Sequence, residues 1–321
     1  MFAVRVHGFG GPAALRVDEV DEPEVGPGEV LLEVDAAGVN FGDLLVRQGT
    51  YFGRMTLPII PGWEVVGRVI DPSDSGLCVG TRVAALVASG GYAQRVAAPL
   101  KNVVPLTDDI GDHVALAMVI QGSTAWHLLE TPRTVGAGDV VLVSGGGSGV
   151  THLVLQLARA RGVERLVVVC SSQAKAATVR ALGAQTVVIT GQDDPVMTLT
   201  TQIGTATVDH VIDMVGTPVL EAMLRCLRPG GRAVVYGVAG GAPATISSGA
   251  LIRFGWTVAG LWLGHDGTEP LGPTLARLIA LHRRGRLQPT LGPVLPLADA
   301  GRAHEMVAAR TGVGKIMLIC R

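Results

Sequence analysis

The segment Gly145-Gly-Gly-Ser-Gly-Val-Thr151 carries the densest chemical signal in the sequence. It follows a β-branched apolar run, Val140 to Ser144. It precedes His152 to Ala158, and Val150, Leu153, Val154 and Leu157 recur at helical spacing. Strand, glycine turn and helix in that order aim backbone N–H groups and the positive end of a helix at one point, which suits a pyrophosphate without any side-chain charge. In a Gly-x-Gly-x-x-Gly frame that begins at Gly146, the chain supplies Gly146, Ser148 and Thr151. Gly147 and Gly149 keep the turn flexible, whereas Thr151 brings a branched side chain to a place where helix and strand normally pack closely. A glycine-rich turn alone is as often structural as phosphate-binding. The flanking strand and helix favour a dinucleotide, with Gly146, Gly147, Ser148, Gly149 and Val150 as expected contacts.

The end of the next strand bears on which dinucleotide. A free ribose 2′-hydroxyl is normally read by an acidic residue roughly 20 positions past the turn. Here Leu166-Val-Val-Val-Cys170 runs into Ser171-Ser-Gln-Ala-Lys175. No carboxylate stands there to repel a 2′-phosphate, while Ser172 can donate a hydrogen bond and Lys175 offers a compact positive charge. NADPH is therefore the favoured cofactor. The plainer readings are a helix N-cap for Ser172 and a solvated helix face for Lys175.

The elements that must hold these residues follow from size and pattern. A chain of 321 residues, 48% hydrophobic, can bury a large core and has the length of about two domains. Its net charge of −1 and lack of a Lys/Arg run give no electrostatic footprint for nucleic acid or an anionic membrane. Cys78, Cys170, Cys226 and Cys320 are scattered, which fits reduced thiols rather than a disulfide framework or zinc ribbon. The N-terminus does not read as a signal peptide, and the uncharged stretch Ala233 to Ile252 is broken by glycines and Pro243. A cytoplasmic protein without a membrane or nucleic-acid partner is expected.

Residues 1–118 read as a β-rich domain, with strands at Val30 to Asp35, Glu64 to Ile70 and Arg82 to Leu86 between glycine- and proline-containing turns. Residues 119–263 alternate strands and helices. The strands are Val140 to Ser144, Arg165 to Cys170, Thr186 to Ile189, Val208 to Asp213, Arg232 to Gly237 and Thr257 to Leu263. This is the pattern of an α/β, doubly wound parallel sheet of Rossmann type. Residues 264–321 carry helices near Thr274 to Arg284 and Ala298 to Ala309, then a strand Lys315 to Ile319, and are expected to return to the first domain.

The order of these parts resembles the medium-chain dehydrogenase/reductase superfamily, and within it the zinc-independent quinone oxidoreductases and enoyl reductases. The most specific segments are Val39-Asn-Phe-Gly-Asp-Leu-Leu-Val-Arg-Gln-Gly-Thr-Tyr51, Ile60-Pro-Gly-Trp-Glu-Val-Val-Gly67, Gly80-Thr-Arg-Val83 and Gly122-Ser-Thr-Ala125. The glycine loop, Gly230-Gly-Arg232 with Gly237, and Gly314-Lys-Ile316 add to the match. The resemblance covers essentially the whole chain. It implies a GroES-like fold for the β-rich domain. It also implies a cofactor lined by Thr124, Tyr236, Gly237, Val238, Ala239, Leu261, Leu263 and Arg310, with core packing the plainer account of Val238, Leu261 and Leu263. Asn40 and Trp63 stand where zinc-dependent relatives place a Cys and a His, and neither supplies the usual zinc donor; no metal is expected. Relatives often place a Tyr where this chain has Thr190, which implies weaker cofactor affinity.

Hydride transfer to a quinone, enone or enoyl thioester needs a donor that stabilises the forming oxyanion or enolate. With no metal, Tyr51 is the leading candidate, since an ordinary phenol stays protonated at neutral pH. Asn40 can hydrogen-bond a substrate carbonyl or the nicotinamide ribose; equally, with Asp43 it can cap the helix carrying Leu44, Leu45 and Val46. Trp63 is either a cleft wall or core, Asp43 and Glu64 read as supporting residues, Tyr92 as a strand residue, and His152 is the one histidine beside the loop. Two other readings stay open: a dinucleotide-binding protein with little turnover, suggested by Ser148, Thr151 and Thr190, and a tailoring enoyl reductase with a larger polyketide substrate. The apolar edge strand at Thr257 and the resemblance together imply a homodimer.

Overall fold

A computed structural model describes residues 1–52, 55–191, 194–263, 269–310 and 314–321. The chain forms two compact units. One comprises Met1–Ser123, Thr268–Leu281 and Pro289–Arg321, the other Thr124–Gly267 and His282–Gln288. Residues 264–268, the expected start of the return segment, lie outside the described residues.

The second unit is a doubly wound α/β domain. Its six strands lie in the spatial order Thr186–Ile189, Arg165–Cys170, Val140–Val143, Val208–Asp213, Leu227–Val235, Thr257–Gly260, and every neighbouring pair is parallel. Val140–Val143 is buried at every position, as a β-branched strand flanked by helices must be. The strand order reverses beside it: the chain proceeds from Val140–Val143 toward one edge and later resumes on the other side with Val208–Asp213. That switch leaves a crevice beyond the strand ends, where open α/β sheets bind ligands. Four strand boundaries in this unit differ from expectation: the first strand stops at Val143 and the fifth begins at Leu227. The fifth strand ends at Val235, which places Tyr236 and Gly237 just past it. The sixth stops at Gly260, and the Leu261 N–H makes the last ladder hydrogen bond, to the Val235 carbonyl (2.9 Å).

The first unit is built on a sheet in the order Leu291–Pro296, Lys315–Ile319, Glu29–Val39, Glu64–Asp71, Arg82–Leu86, Val103–Pro105, with Arg95–Pro99 also pairing Glu29–Val39. Val30, Leu32, Val34, Val65, Val69, Ile316 and Leu318 meet in one apolar core. The last strand runs antiparallel to Glu29–Val39 with Ile316 opposite Val39, so that Lys315 arrives at the position facing Asn40. Tyr92 is not a strand residue. It sits in a bend before Arg95–Pro99 and is fully buried.

Candidate functional site

In the nucleotide unit, the glycine loop leaves Val140–Val143 and enters the helix Gly149–Ala160. A Cβ on Gly146 would collide with the Cys170 sulfur and crowd Val168 Cγ1 (3.0 Å), and one on Gly147 would press on the Lys175 stem (2.9 Å). The loop thus lies against the neighbouring strand at a distance only glycine allows. Ser148 is the N-cap, and its Oγ accepts the Thr151 N–H (3.1 Å). The helix geometry leaves the N–H groups of Gly149 and Val150 without intrahelical acceptors. Thr151 does not obstruct the packing. Fully buried, it donates from Oγ1 to the Ser144 carbonyl (3.0 Å) and ties the helix to the strand end. His152 Nε2 lies 3.1 Å from the Gly146 carbonyl oxygen, and burial pushes the imidazole pKa below its ordinary value.

Around this loop the structure gathers several expected residues. Lys175 Nζ donates to Ser171 Oγ (2.8 Å), and the Lys175 stem lies over Gly147, which sets the ammonium beside the loop instead of on an outlying helix face. Ser172 occupies the N-cap of the helix Gln173–Ala181, but its hydroxyl makes no capping hydrogen bond. Thr190 is buried, and its N–H is bound to the Cys170 carbonyl (3.1 Å).

The segment after the fifth strand is pinned to Asp213–Val215. Tyr236 N–H bonds Asp213 O (2.9 Å), Ala239 N–H bonds Met214 O (2.7 Å) and Gly240 N–H bonds Val215 O (2.8 Å). Asp213 is itself fixed by the Ser144 hydroxyl (2.6 Å) and by the N–H groups of Val215 and Gly216. Gly237 has room for no Cβ without crowding Met214 O, and Val238 accepts the Gly241 N–H (2.9 Å). The Tyr236 hydroxyl is buried beside the Thr151 and Ser148 hydroxyls; burial raises its pKa, and those two hydroxyls moderate the rise. Its phenol therefore faces the start of the glycine-loop helix. Thr124 is buried on a short helix, and Leu261 and Leu263 are half-buried beyond the sixth strand. Arg310 belongs to the other unit, where its guanidinium lies over the Phe41 ring (5.5 Å).

In the β-rich unit a second cluster forms around Asn40. Asn40 is the N-cap of the helix Phe41–Gln48 and forms a capping box with Asp43, whose Oδ2 accepts the Asn40 N–H (2.8 Å). The Asn40 carboxamide also donates from Nδ2 to Glu64 Oε1 (2.9 Å) and accepts at Oδ1 from Lys315 Nζ (2.8 Å). Lys315 pairs with Glu64, and both are fully buried. Asp43 further accepts the Gly62 N–H (3.2 Å) and the Tyr92 hydroxyl (3.1 Å), and Tyr92 meets His304 Nε2 (3.2 Å). Burial, reinforced by the Glu64 charge, pushes the Asp43 pKa up to about 7. Burial and the nearby Arg47 charge pull that of His304 down to about 3.

Tyr51 and Trp63 stand beside this network. Their rings are 4.8 Å apart and tilted, Phe52 meets Tyr51 edge-on at 5.6 Å, and Phe52 is 67% exposed. A Cβ on Gly42 would drive into the Trp63 ring and touch Tyr51 Cε2 (3.5 Å), so a glycine in the first turn of the helix seats both aromatics. The result is a half-buried phenol on an apolar aromatic wall. Among the described residues no three His, Cys, Asp or Glu side chains converge as a metal cradle. The Glu64 carboxylate is taken up by Lys315, Asn40 and the Ile120 N–H (2.9 Å).

Lys315, Tyr92 and His304 escape a reading of the sequence for functional residues. A lysine opening the apolar strand Lys315–Ile319 and a glutamate opening Glu64–Asp71 are the available signal for a buried pair.

Residues 26–108 match the alcohol dehydrogenase GroES-like domain, and 149–280 match the zinc-binding dehydrogenase family. Over 324 residues the chain is 31% identical to the quinone oxidoreductase of Sus scrofa, covering 99% of this chain and 98% of that protein. The chain belongs to the quinone oxidoreductase family of medium-chain dehydrogenases/reductases. Within this family it is also 29% identical to a Burkholderia 2-haloacrylate reductase, with 99% of each chain covered. A mycobacterial protein solved in complex with NADPH superposes with a TM-score of 0.90 at 32% identity, covering 99% of both chains. As a member of this family the chain is an oxidoreductase.

Proposed function

We propose that this oxidoreductase is NADPH-dependent and transfers a hydride to a quinone, enone or enoyl thioester without a metal ion. One observation carries the reading. The same chain holds a glycine cradle with a lysine beside it and, in its other unit, a phenol on an apolar wall whose neighbouring zinc positions are filled by Asn40 and Trp63. The names of its relatives, a quinone oxidoreductase and a 2-haloacrylate reductase, support a conjugated acceptor. The NADPH complex of the mycobacterial neighbour supports the cofactor.

The residues present fit that cofactor. Gly146 and Gly147 clear the space a Cβ would fill. The free N–H groups of the helix start at Gly149 and Val150 receive the pyrophosphate, and Lys175, Ser171 and Ser172 receive the 2′-phosphate. Tyr236 to Ala239, Thr124, Leu261 and Leu263 serve the nicotinamide end, and Arg310 the outer side. When bound, NADPH supplies the hydride. Tyr51 donates a hydrogen bond, then a proton, to the acceptor oxygen as negative charge develops on it. Asn40 offers its uncommitted amide N–H to the acceptor carbonyl or the nicotinamide ribose. Trp63 and Phe52 keep the phenol in an apolar setting, which strengthens that hydrogen bond.

Ser148 and Thr151 depart from the fingerprint but are built into the loop by hydrogen bonds, which favours a competent cofactor site over a vestigial one. The uncovered edge strand Thr257–Gly260, with Ile252 85% and Trp262 52% exposed nearby, favours a homodimer. The free cysteines fit a reducing, cytoplasmic setting. Fluorescence titration with NADPH followed by an acceptor panel tests the reading. Micromolar binding with oxidation by at least one conjugated acceptor supports it, and absence of binding refutes it. Rapid reduction of an enoyl thioester with poor turnover of quinones would assign the enoyl reductase branch.

A further inference from the structure

The buried pair Lys315–Glu64 is costly to maintain, since apolar residues of similar volume usually serve a core at least as well. Its placement is nevertheless supported from several sides. Strand register brings Lys315 to Asn40, and Gly38 has no side chain where the Glu64 carboxylate lies. All three groups are committed to one another. Lys315 Nζ, a pure donor, reaches Asn40 Oδ1 (2.8 Å), the Val39 carbonyl (3.4 Å) and Glu64. Glu64, a pure acceptor, receives Asn40 Nδ2 (2.9 Å), Lys315 and the Ile120 N–H.

An asparagine amide can ordinarily be turned over by half a rotation, exchanging its oxygen and nitrogen. Between an ammonium and a carboxylate it cannot, because the turned amide would set N–H against the ammonium and oxygen against the carboxylate. One Nδ2–H is left over.

We propose that Lys315, with Glu64, is a positioning residue that locks the Asn40 carboxamide in one orientation so that its remaining Nδ2–H is presented to the acceptor carbonyl or the cofactor ribose. The proposal rests on the NADPH-reductase reading for its purpose, but not for its geometry. It explains why an ion pair rather than two apolar side chains fills this place: a pure donor on one side and a pure acceptor on the other fix which end of the amide is which, and apolar groups do not.

The test is the paired variant Lys315→Met with Glu64→Gln, which removes both charges together and leaves neither buried and unpaired. Two readouts are needed. The sequence has two asparagines, Asn40 and Asn102, so protein labelled with ¹⁵N in asparagine side chains gives two amide proton pairs, and Asn40→Ala identifies which is which. In the wild type the Asn40 protons should be widely separated, one bound to Glu64 and one free. In the paired variant they should collapse toward the dispersion of Asn102. In kinetics, the paired variant should keep its melting temperature while kcat falls by about tenfold or more, the penalty typical of a misdirected catalytic group. Adding Asn40→Ala to the paired variant should cost nothing further.

A wild-type kcat in the paired variant, an Asn40 amide pair unmoved by it, or fully additive losses with Asn40→Ala would each overturn the proposal. A wild type that reduces none of the conjugated acceptors with NADPH would instead defeat the functional reading. The amide spectrum would still decide whether Lys315 and Glu64 hold Asn40.

Discussion

The two units solve opposite electrostatic problems. Around the glycine loop almost everything offered to a ligand is backbone: N–H groups at a helix start, space at Gly146 and Gly147, and hydroxyls of Ser148 and Thr151 consumed in holding the loop. Lys175 and Ser171 add charge and polarity at the rim. Around Asn40, by contrast, side chains do the work, and Lys315, Glu64, Asp43, Tyr92 and His304 are all fully buried. A backbone site tolerates altered side chains provided the loop keeps its path, as Thr151 shows. A buried charged network tolerates little, because removing one member strands another without a partner.

That contrast can be broken or sharpened by substitution. The largest effect is expected at Tyr51→Phe. Losing the oxyanion donor should lower kcat about a hundredfold or more, with NADPH affinity unchanged by fluorescence titration; an unaltered kcat on a good acceptor would remove Tyr51 from the chemistry. Gly146→Ala comes next. Its methyl would be forced into Cys170 and Val168, so NADPH affinity should drop at least about tenfold and stability by about 1–3 kcal/mol, the usual range for overpacking. Retained affinity would mean that the loop's path is not what binds.

Lys175→Ala should weaken NADPH by about tenfold, as loss of a charge-assisted contact to phosphate implies, while NADH is spared. Equal losses would contradict the 2′-phosphate role. Thr151→Gly restores the glycine fingerprint but deletes the tether to Ser144. It should cost about 1–2 kcal/mol of stability without tightening NADPH, whereas Thr151→Ser should be nearly silent.

The smallest effect concerns acid stability. In the nucleotide unit, burial pulls the His210 pKa down to about 4, with Asp139 opposing the shift. The unfolded chain takes up this proton near the ordinary histidine value of about 6.5, and the folded chain resists until about pH 4. Stability contributed by neutral His210 is therefore present above that upper value and lost as pH falls through the window. Chemical denaturation from pH 7 to 4 should show a shallower decline for His210→Leu than for the wild type. Parallel curves would show that His210 titrates alike in both states.

The difference between the units also explains why one is more legible than the other in the amino-acid sequence. The glycine loop is contiguous along the chain, and the strand, turn and helix that create it are local patterns with separate periodicities. All six parallel strands can be read from those patterns, with errors at their ends, such as the apolar residues Leu261 to Leu263 that continue the pattern past the sixth strand. The Asn40 network is dispersed. Lys315 and Asn40 are 275 residues apart, and Tyr92 and His304 are 212 apart. Local pattern gives Asn40 its capping role and leaves its second role open. The pairing of Lys315 with Glu64 depends on the register of the last strand, which no short window encodes. Thr151 misleads for a related reason: its branched side chain suggests obstruction, and only the Ser144 carbonyl at the strand end reveals it as a tether.

Metal-free hydride transfer to a conjugated acceptor, assisted by Tyr51, is tested most directly by isotope labelling. Chelator-treated protein should be given NADPH deuterated at the reactive position of nicotinamide C4, together with an enone, and the product read by mass spectrometry and NMR. One deuterium should appear at the enone β-carbon, formed at the rate of untreated protein and strongly slowed in Tyr51→Phe. A product without deuterium, or turnover that returns only when zinc is restored, would contradict it.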